Sequence, residues 1–431
     1  MMDAVAADPM CHCRPSCGSR RVKLRHVYVS RPGVLIAAPF LPWPANFGGA
    51  QRIHALAREL QRDVDVTLVA PTIPDEEVHL HALGAYYDVV GVPARWSLRY
   101  PPSRVRRCQQ LRAAFTRQSI AELTRPGSQF QQVIDRILQT RFIHVFKQET
   151  PYMASVHARP GIPTIIDAQN VEWDLLRRIS QTSPSLGKQI YNASEWRKLR
   201  RVEQRAWAAA DAVTVTSMPD AEAIAPFSRC APILVPNGID LDAVLPRRQA
   251  SSEHPHDVLF IGALRHAPNA DAVGWYLEHV HPIVRAQVPD ARLHVVGADP
   301  PAWLRELDRW DVLVTGTVPS VQPWLADAAV AVLPLLSGGG TRIKALEAFA
   351  AQVPVVSTTI GVEGLNVSHA EHLLIADQPE AFAAAILATV SNADATRDRA
   401  SAARRLVEQR YSWAITAQPL RALVDSLLHQ R

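Results

Sequence analysis

At 431 residues the chain exceeds what a single hydrophobic core ordinarily organises, so two domains are expected. Apolar residues make up 48% and charged residues 20%, with no low-complexity block, which excludes a disordered or fibrous chain. The formal net charge of +5 favours anionic partners, while five cysteines, three in the N-terminal head and two standing alone, and the lack of any apolar run of about 18 residues exclude a disulfide scaffold and a membrane-spanning helix.

Residues 1–32, rich in Pro and Arg, are expected to form a flexible extension. No charged segment followed by an apolar one opens it, and a cytoplasmic location is expected. Cys11, His12 and Cys13 are too close in sequence to wrap one tetrahedral ion, and no second ligand pair follows at zinc-finger spacing. Val34-Leu35-Ile36-Ala37-Ala38-Pro39 is a continuous apolar run, the pattern of a strand buried on both faces of a parallel sheet. A loop from Pro42 to Gly49 follows it. Ile53, Leu56, Ala57 and Leu60 then fall at helical spacing, and Val64 to Val69 reads as the next strand, completing one βαβ unit.

Strands are also expected at Phe142 to Phe146, Thr164 to Asp167, Ala212 to Thr216 and from Ile233, the last stopped by Pro236-Asn237-Gly238. Residues 245–256 carry Pro, Arg, Gln, Ser and His without apolar period and read as an interdomain linker. A second alternating series places strands at Val258 to Ile261, Arg292 to Val296, Ala329 to Leu333 and Pro354 to Ser357, and Ala381 to Arg431 reads as mostly helical. The expected class is α/β: two Rossmann-like, doubly wound domains, 33–244 and 257–410, facing a cleft and followed by a C-terminal helical segment, 411–431. In such sheets ligands bind at the carboxyl ends of the strands.

The most informative stretch runs from Leu333 to Ala350. A buried strand enters Gly338-Gly339-Gly340-Thr341 and then a helix, and glycines let backbone amides approach an anion at a helix N-terminus. Arg342 and Lys344 add positive charge suited to a diphosphate, and Glu347, farther along the helix, could accept hydrogen bonds from ribose hydroxyls. The same carboxylate would also suit the helix dipole without any ligand.

Between Ala94 and Gln118 a second cluster gathers Arg95, Arg99, Arg104, Arg106, Arg107, Arg112 and Arg117, with Trp96 and Tyr100 and no acidic residue. It suits an anionic membrane surface or a phosphorylated lipid acceptor, or it is simply a solvated face. No nucleic-acid-binding signature accompanies it, and no nucleic-acid partner is expected. Asp63-Val64-Asp65 and Asp240-Leu241-Asp242 have the spacing of metal-binding pairs but lie at a strand entry and an interdomain turn. No metal is expected to be required.

Taken in order, these segments resemble the bacterial retaining glycosyltransferases of the GT-B fold, the group that includes lipopolysaccharide core and phosphatidylinositol mannosyl transferases. Phe47-Gly48-Gly49 resembles that family's Gly-Gly loop, Asn237-Gly238-Ile239-Asp240 its interdomain signature, and Phe260-Ile261-Gly262 the strand opening its second domain. Glu347-Ala348-Phe349-Ala350 with Pro354-Val355-Val356, and Tyr411-Ser412-Trp413 at the start of the last helix, match further segments.

The resemblance implies a sugar moved from a nucleoside-diphosphate donor to a hydroxyl acceptor, lipid-linked or polysaccharide, with retention and with no cofactor beyond the nucleotide-sugar co-substrate. It implies donor binding by Gly48, Gly49, Arg265, Asn269, Gly338, Gly339, Gly340, Thr341, Arg342, Lys344 and Glu347. Gln169 and Asn170 are the catalytic candidates, and Arg95, Trp96, Arg99, Arg104, Arg106 and Arg107 form an acceptor or membrane surface. A peripheral contact with anionic membrane is expected.

The chain also departs from the family. Gly339 stands where the first of two paired glutamates would meet the transferred sugar. Ala263 and Asn269 replace the Arg and Lys that clamp the diphosphate, so Arg265, Arg342 or Lys344 would have to compensate. Gln169 takes the place of a histidine near the anomeric carbon and cannot shuttle a proton. These departures leave open a catalytically weak nucleotide-sugar or glycan-binding partner protein and, more remotely, a nucleotide-sugar epimerase.

Overall fold

The computed structural model describes residues 31–45, 47–96, 102–124, 127–141, 143–149, 153, 156–182, 185–244, 256–307, 309–337 and 342–429. Residues 1–30 of the N-terminal extension, most of the linker, Arg99 and the segment Gly338 to Thr341 therefore lie outside the described residues.

Two parallel sheets organise the chain. The first has seven strands: β1 Gly33–Ala37, β2 Asp65–Thr72, β3 Asp88–Pro93, β4 Ile143–Gln148, β5 Thr164–Ala168, β6 Ala212–Val215 and β7 Ile233–Leu234. Their spatial order is β3-β2-β1-β4-β5-β6-β7. The second has six: β8 Val258–Ile261, β9 Leu293–Val296, β10 Val312–Gly316, β11 Val330–Leu333, β12 Val355–Ser357 and β13 Leu374–Ile375, in the order β10-β9-β8-β11-β12-β13. Both orders are doubly wound. The direction of winding reverses between β1 and β4 in one sheet and between β8 and β11 in the other, and crevices at the carboxyl ends of such switch points are where ligands bind.

The central strands are apolar because helices cover both faces. Every residue of β1 and of β11 is buried. Val34 and Ile36 on one face of β1 pack with Ile53, Leu56 and Leu60 of the helix Gly48–Gln61, whereas Leu35 and Ala37 on the other face pack with Phe130, Ile134 and Ile137 of the helix Ser128–Thr140. In the second sheet Val258 and Phe260 join Val273, Val284 and Phe382 on one side, and Leu259 joins Leu346 and Phe349 on the other.

The chain crosses between the two sheets twice. After β7 the Ile239 amide donates to Tyr411 O at 2.7 Å, and Ile239 forms a bridge with Ser412. The last helix, Gln418–His429, then returns to the first sheet, where Leu420 and Val424 enter the same apolar cluster as Val34 and Val235. Arg421 fixes it with a bidentate pair to Asp63, at 2.6 and 2.9 Å. Asp63 thus serves packing. Asp240, from the other acidic pair, instead accepts from the Asp242 amide at 3.2 Å and faces Arg58. Among the described residues no helix is long and apolar enough to cross a membrane.

Candidate donor site between the two sheets

β1 ends at Ala37, and the loop after it delivers Phe47 in an extended conformation as the residue preceding the helix Gly48–Gln61. Phenylalanine has no oxygen with which to cap the first-turn amides, so this helix start offers donors to an anion. The two glycines there are set by close neighbours. A side chain at position 48 would place Cβ 3.2 Å from Ile343 Cδ1 on the second sheet's side, and one at position 49 would lie 3.1 Å from Gln169 Oε1 and 3.2 Å from the Phe47 ring. Gly48 thus lets the first helix abut the helix Ile343–Ala350, and Gly49 leaves room for the Gln169 carboxamide.

One turn onward, Gln51 Nε2 donates to Glu347 Oε1 at 3.1 Å, a hydrogen bond from one side of the cleft to the other. Burial pushes the Glu347 carboxyl above its ordinary range, with the Gln51 bond and Lys344 pulling the other way. Gln169 is held by its own amide, which donates to Glu149 O at 3.4 Å, and by Thr216, whose hydroxyl donates to Gln169 O at 3.2 Å. Asn170 turns away: its amide donates to Glu172 Oε1 at 3.2 Å. Gln169 therefore faces Gly49, whereas Asn170 is engaged with the start of the helix Glu172–Thr182.

Beneath these groups lies a buried ionic cluster that composition and periodicity did not reveal. Arg52, on the first helix, donates to both oxygens of Asp167 at 2.7 and 2.8 Å, to Val235 O at 2.7 Å and to Asn237 Oδ1 at 3.0 Å. Thr214 adds a 2.6 Å bond to Asp167, Lys147 lies 3.7 Å from it, and Lys147 is also hydrogen-bonded to Glu149. Burial opposes the charge on Asp167, but Arg52 and Lys147 outweigh it and hold the carboxyl well below the usual carboxylate range. At Glu149 burial prevails over Lys147 and the carboxyl is raised. The signal in the sequence was Lys147-Gln148-Glu149 at the end of a strand buried at the centre of a sheet, where charge persists only if paired.

Across the cleft, Arg342 stands just before the helix Ile343–Ala350. Its guanidinium donates to Ile360 O at 3.3 Å from both Nε and Nη2 and lies 3.8 Å from Glu363. Glu363 is also 3.6 Å from Arg178 of the first sheet's side. Lys344 Nζ donates to Asn269 Oδ1 at 2.6 Å and sits 4.8 Å from the centre of the Phe260 ring. Arg265 instead forms an ion pair with Asp299 on the surface. The glycines 338–340 and Thr341 lie outside the described residues.

The arginine cluster is a separate surface of the first lobe. Arg95 is exposed and Trp96 half-buried, while Arg104, Arg106 and Arg107 are exposed on the helix Ser103–Phe115. Leu111 and Phe115 on the same helix are 63% and 87% exposed, an apolar component absent from the reading of the charges alone. This helix is anchored to the long helix Leu186–Ala209, where Lys198 donates to Ala113 O at 2.5 Å.

The same architecture recurs in solved glycosyltransferases. Sucrose-phosphate synthase from Thermosynechococcus elongatus superposes with a TM-score of 0.70 at 18% identity, covering 93% of this chain and 100% of that one. Anabaena HepE in complex with UDP-glucose gives a TM-score of 0.62 at 14% identity, over 91% of this chain and 99% of that one. By sequence, residues 47–238 match the glycosyl transferase 4-like domain and residues 255–392 the glycosyl transferases group 1. The chain belongs to the group 1 glycosyltransferases of the GT-B fold. This glycosyltransferase is also 31% identical, over 167 residues, to a Klebsiella pneumoniae protein described as an uncharacterized 44.6 kDa protein in the cps region. That match takes in 37% of the glycosyltransferase and 43% of the relative, less than half its length.

Proposed function

We propose that this glycosyltransferase moves a sugar from a nucleoside-diphosphate donor to a hydroxyl of a lipid-linked or polysaccharide acceptor, with retention at the anomeric carbon. The observation that carries the reading is the meeting of the Gly48-Gly49 helix start, Gln51 and Glu347 where the two switch points face each other. Glu347 takes the ribose hydroxyls. Cationic side chains of the second lobe and the helix N-termini stabilise the growing charge on the leaving diphosphate. That HepE is described with UDP-glucose supports a nucleotide-sugar donor here.

In a same-face displacement the anomeric C–O bond to the diphosphate breaks and the diphosphate leaves with the electron pair. The acceptor oxygen bonds the same face of the sugar, and its proton passes to the departing phosphate. Gln169 neither gives nor takes a proton in this scheme; its carboxamide orients a hydroxyl of the sugar or acceptor. The test is incubation with a panel of nucleotide sugars and a membrane lipid extract, with nucleoside diphosphate release followed alongside the anomeric proton of the product. An α-linked product from an α-linked donor is expected. Inversion would overturn the retaining reading, and failure to release nucleoside diphosphate from every donor would overturn the transfer reading.

The exposed face of the helix Ser103–Phe115 suits attachment to an anionic bilayer on the side where the donor is made, with arginines contacting headgroups and Leu111 and Phe115 entering the interface. Each cation near such a surface contributes about 1 kcal/mol. Reversing Arg104, Arg106 and Arg107 to glutamate should therefore lower co-sedimentation with phosphatidylglycerol vesicles by roughly 100-fold or more at low salt. Undiminished co-sedimentation of the triple variant would remove this face from consideration.

A further inference from the structure

The cations of the second lobe are not equivalent. Arg265 is exposed and paired with Asp299. Arg342 is turned onto Ile360 O and toward Glu363. Lys344 reaches the carboxyl end of β8, the strand at the switch point, where its amine meets Phe260, Gly262 and Asn269. A Cβ at position 262 would lie 2.9 Å from Lys344 Nζ and 2.9 Å from Asn269 Nδ2, so only a glycine there leaves the amine its place. Asn269 is fixed in turn: its Nδ2 donates to Ala263 O at 2.9 Å, which obliges Oδ1 to face the lysine.

We propose that Lys344, carried on the helix after β11 and aimed by Asn269, is the side chain that holds the leaving diphosphate at the mouth of β8. This rests on the donor reading above. The positive charge absent from positions 263 and 269 is thus supplied from a different element, and Asn269 acts as a positioning residue for it.

The surroundings give this contact a pH signature. Burial, then the neighbouring Arg342, lowers the Lys344 amine to about 7, with Glu347 pulling upward. His266, just after β8, is pushed below its ordinary range by burial and then by the charges of Lys344 and Arg342. A bound diphosphate favours the ammonium form. Below about pH 7 the amine is already charged and contributes no slope; above it, binding takes up a proton and affinity falls by as much as roughly tenfold per pH unit. The diphosphate of a nucleotide sugar, esterified at both ends, has no proton to lose in this range.

The experiment measures equilibrium binding of UDP-glucose, GDP-mannose, ADP-glucose and dTDP-glucose to the whole chain across neutral pH, then follows the tightest of them with variants. Lys344→Met should weaken it roughly 10- to 100-fold at pH 6.5 and abolish the fall on the alkaline side. Asn269→Ala should move that fall to lower pH, because the amine loses an acceptor for its charged form. Glu347→Ala should weaken binding while keeping the fall, moved to lower pH because the carboxylate no longer favours the charged amine. If wild type binds a nucleotide sugar and Lys344→Met binds it equally well, or keeps the alkaline fall, the assignment of Lys344 is wrong while the donor reading stands. If wild type binds none of the four, the donor reading itself fails and takes this assignment with it.

Discussion

Glu347→Ala should weaken nucleotide-sugar binding roughly 10- to 100-fold at neutral pH, because a hydrogen bond to an ionised group contributes about 1.5–3 kcal/mol and vicinal ribose hydroxyls can make two to one carboxylate. The same side chain also accepts from Gln51 across the cleft, so the variant loses a contact between the lobes as well as a ligand group. Gln51→Ala separates the two. It removes only the cross-cleft bond, and because a carboxylate oxygen has room for a second donor, its effect on affinity should stay within about threefold. The raised carboxyl of Glu347 adds a pH arm: ribose recognition needs the ionised form, so wild-type affinity should also decline on the acid side, sooner than an exposed carboxylate would allow, and Glu347→Ala should not show that decline. Isothermal titration of both variants with the tightest-binding nucleotide sugar is sufficient. Unchanged affinity in Glu347→Ala would show that the carboxylate serves the helix and not a nucleotide.

How far the sequence anticipated this fold depended on where each element sits. β1, β8, β11 and β12 announce themselves as continuous apolar runs because they lie at the centre of doubly covered sheets. The edges did not. β3 carries a half-buried Val89-Val90-Gly91 before the buried Val92, β10 an exposed Leu313 and β13 only two residues, and none has either a buried run or a clean alternation. The long helix Leu186–Ala209 also lacked a clear stripe, since its buried face is built partly from Glu195, Lys198 and Glu203 in place of apolar residues.

For the candidate site, one-dimensional reasoning grouped residues that share a loop or a turn, such as Gly48 with Gly49 and Lys344 with Glu347. It could not see pairings that join distant segments: Gln51 with Glu347, Lys344 with Asn269, or Arg52 with Asp167. Asn269 entered as a weak replacement for a missing lysine. In the fold it is the residue that aims the lysine supplied from elsewhere.

Arg52→Met should be the most destabilising single change in the first lobe, lowering stability by about 3–5 kcal/mol, the range for removing one partner of a buried ion pair. The guanidinium is 1% exposed and satisfies four acceptors: two oxygens of Asp167, Val235 O and Asn237 Oδ1. Methionine keeps the length of the stem but leaves those acceptors without a cation and Asp167 supported only by Thr214 and Lys147. Because the loss comes from an orphaned charge, neutralising it should recover part of the stability: Arg52→Met with Asp167→Asn should be more stable than Arg52→Met alone. The pH dependence has a defined sign. Asp167 titrates below its unfolded value of about 3.9, so its contribution is present above that pH and is lost as pH falls toward the depressed folded value; in Arg52→Met that acid-sensitive increment should shrink. Urea unfolding followed by circular dichroism at neutral and acid pH measures all three expectations. A cost below about 1 kcal/mol for Arg52→Met, or a double variant weaker than the single, would mean that the cluster beneath the cleft is not what ties the first helix to the ends of β5 and β7.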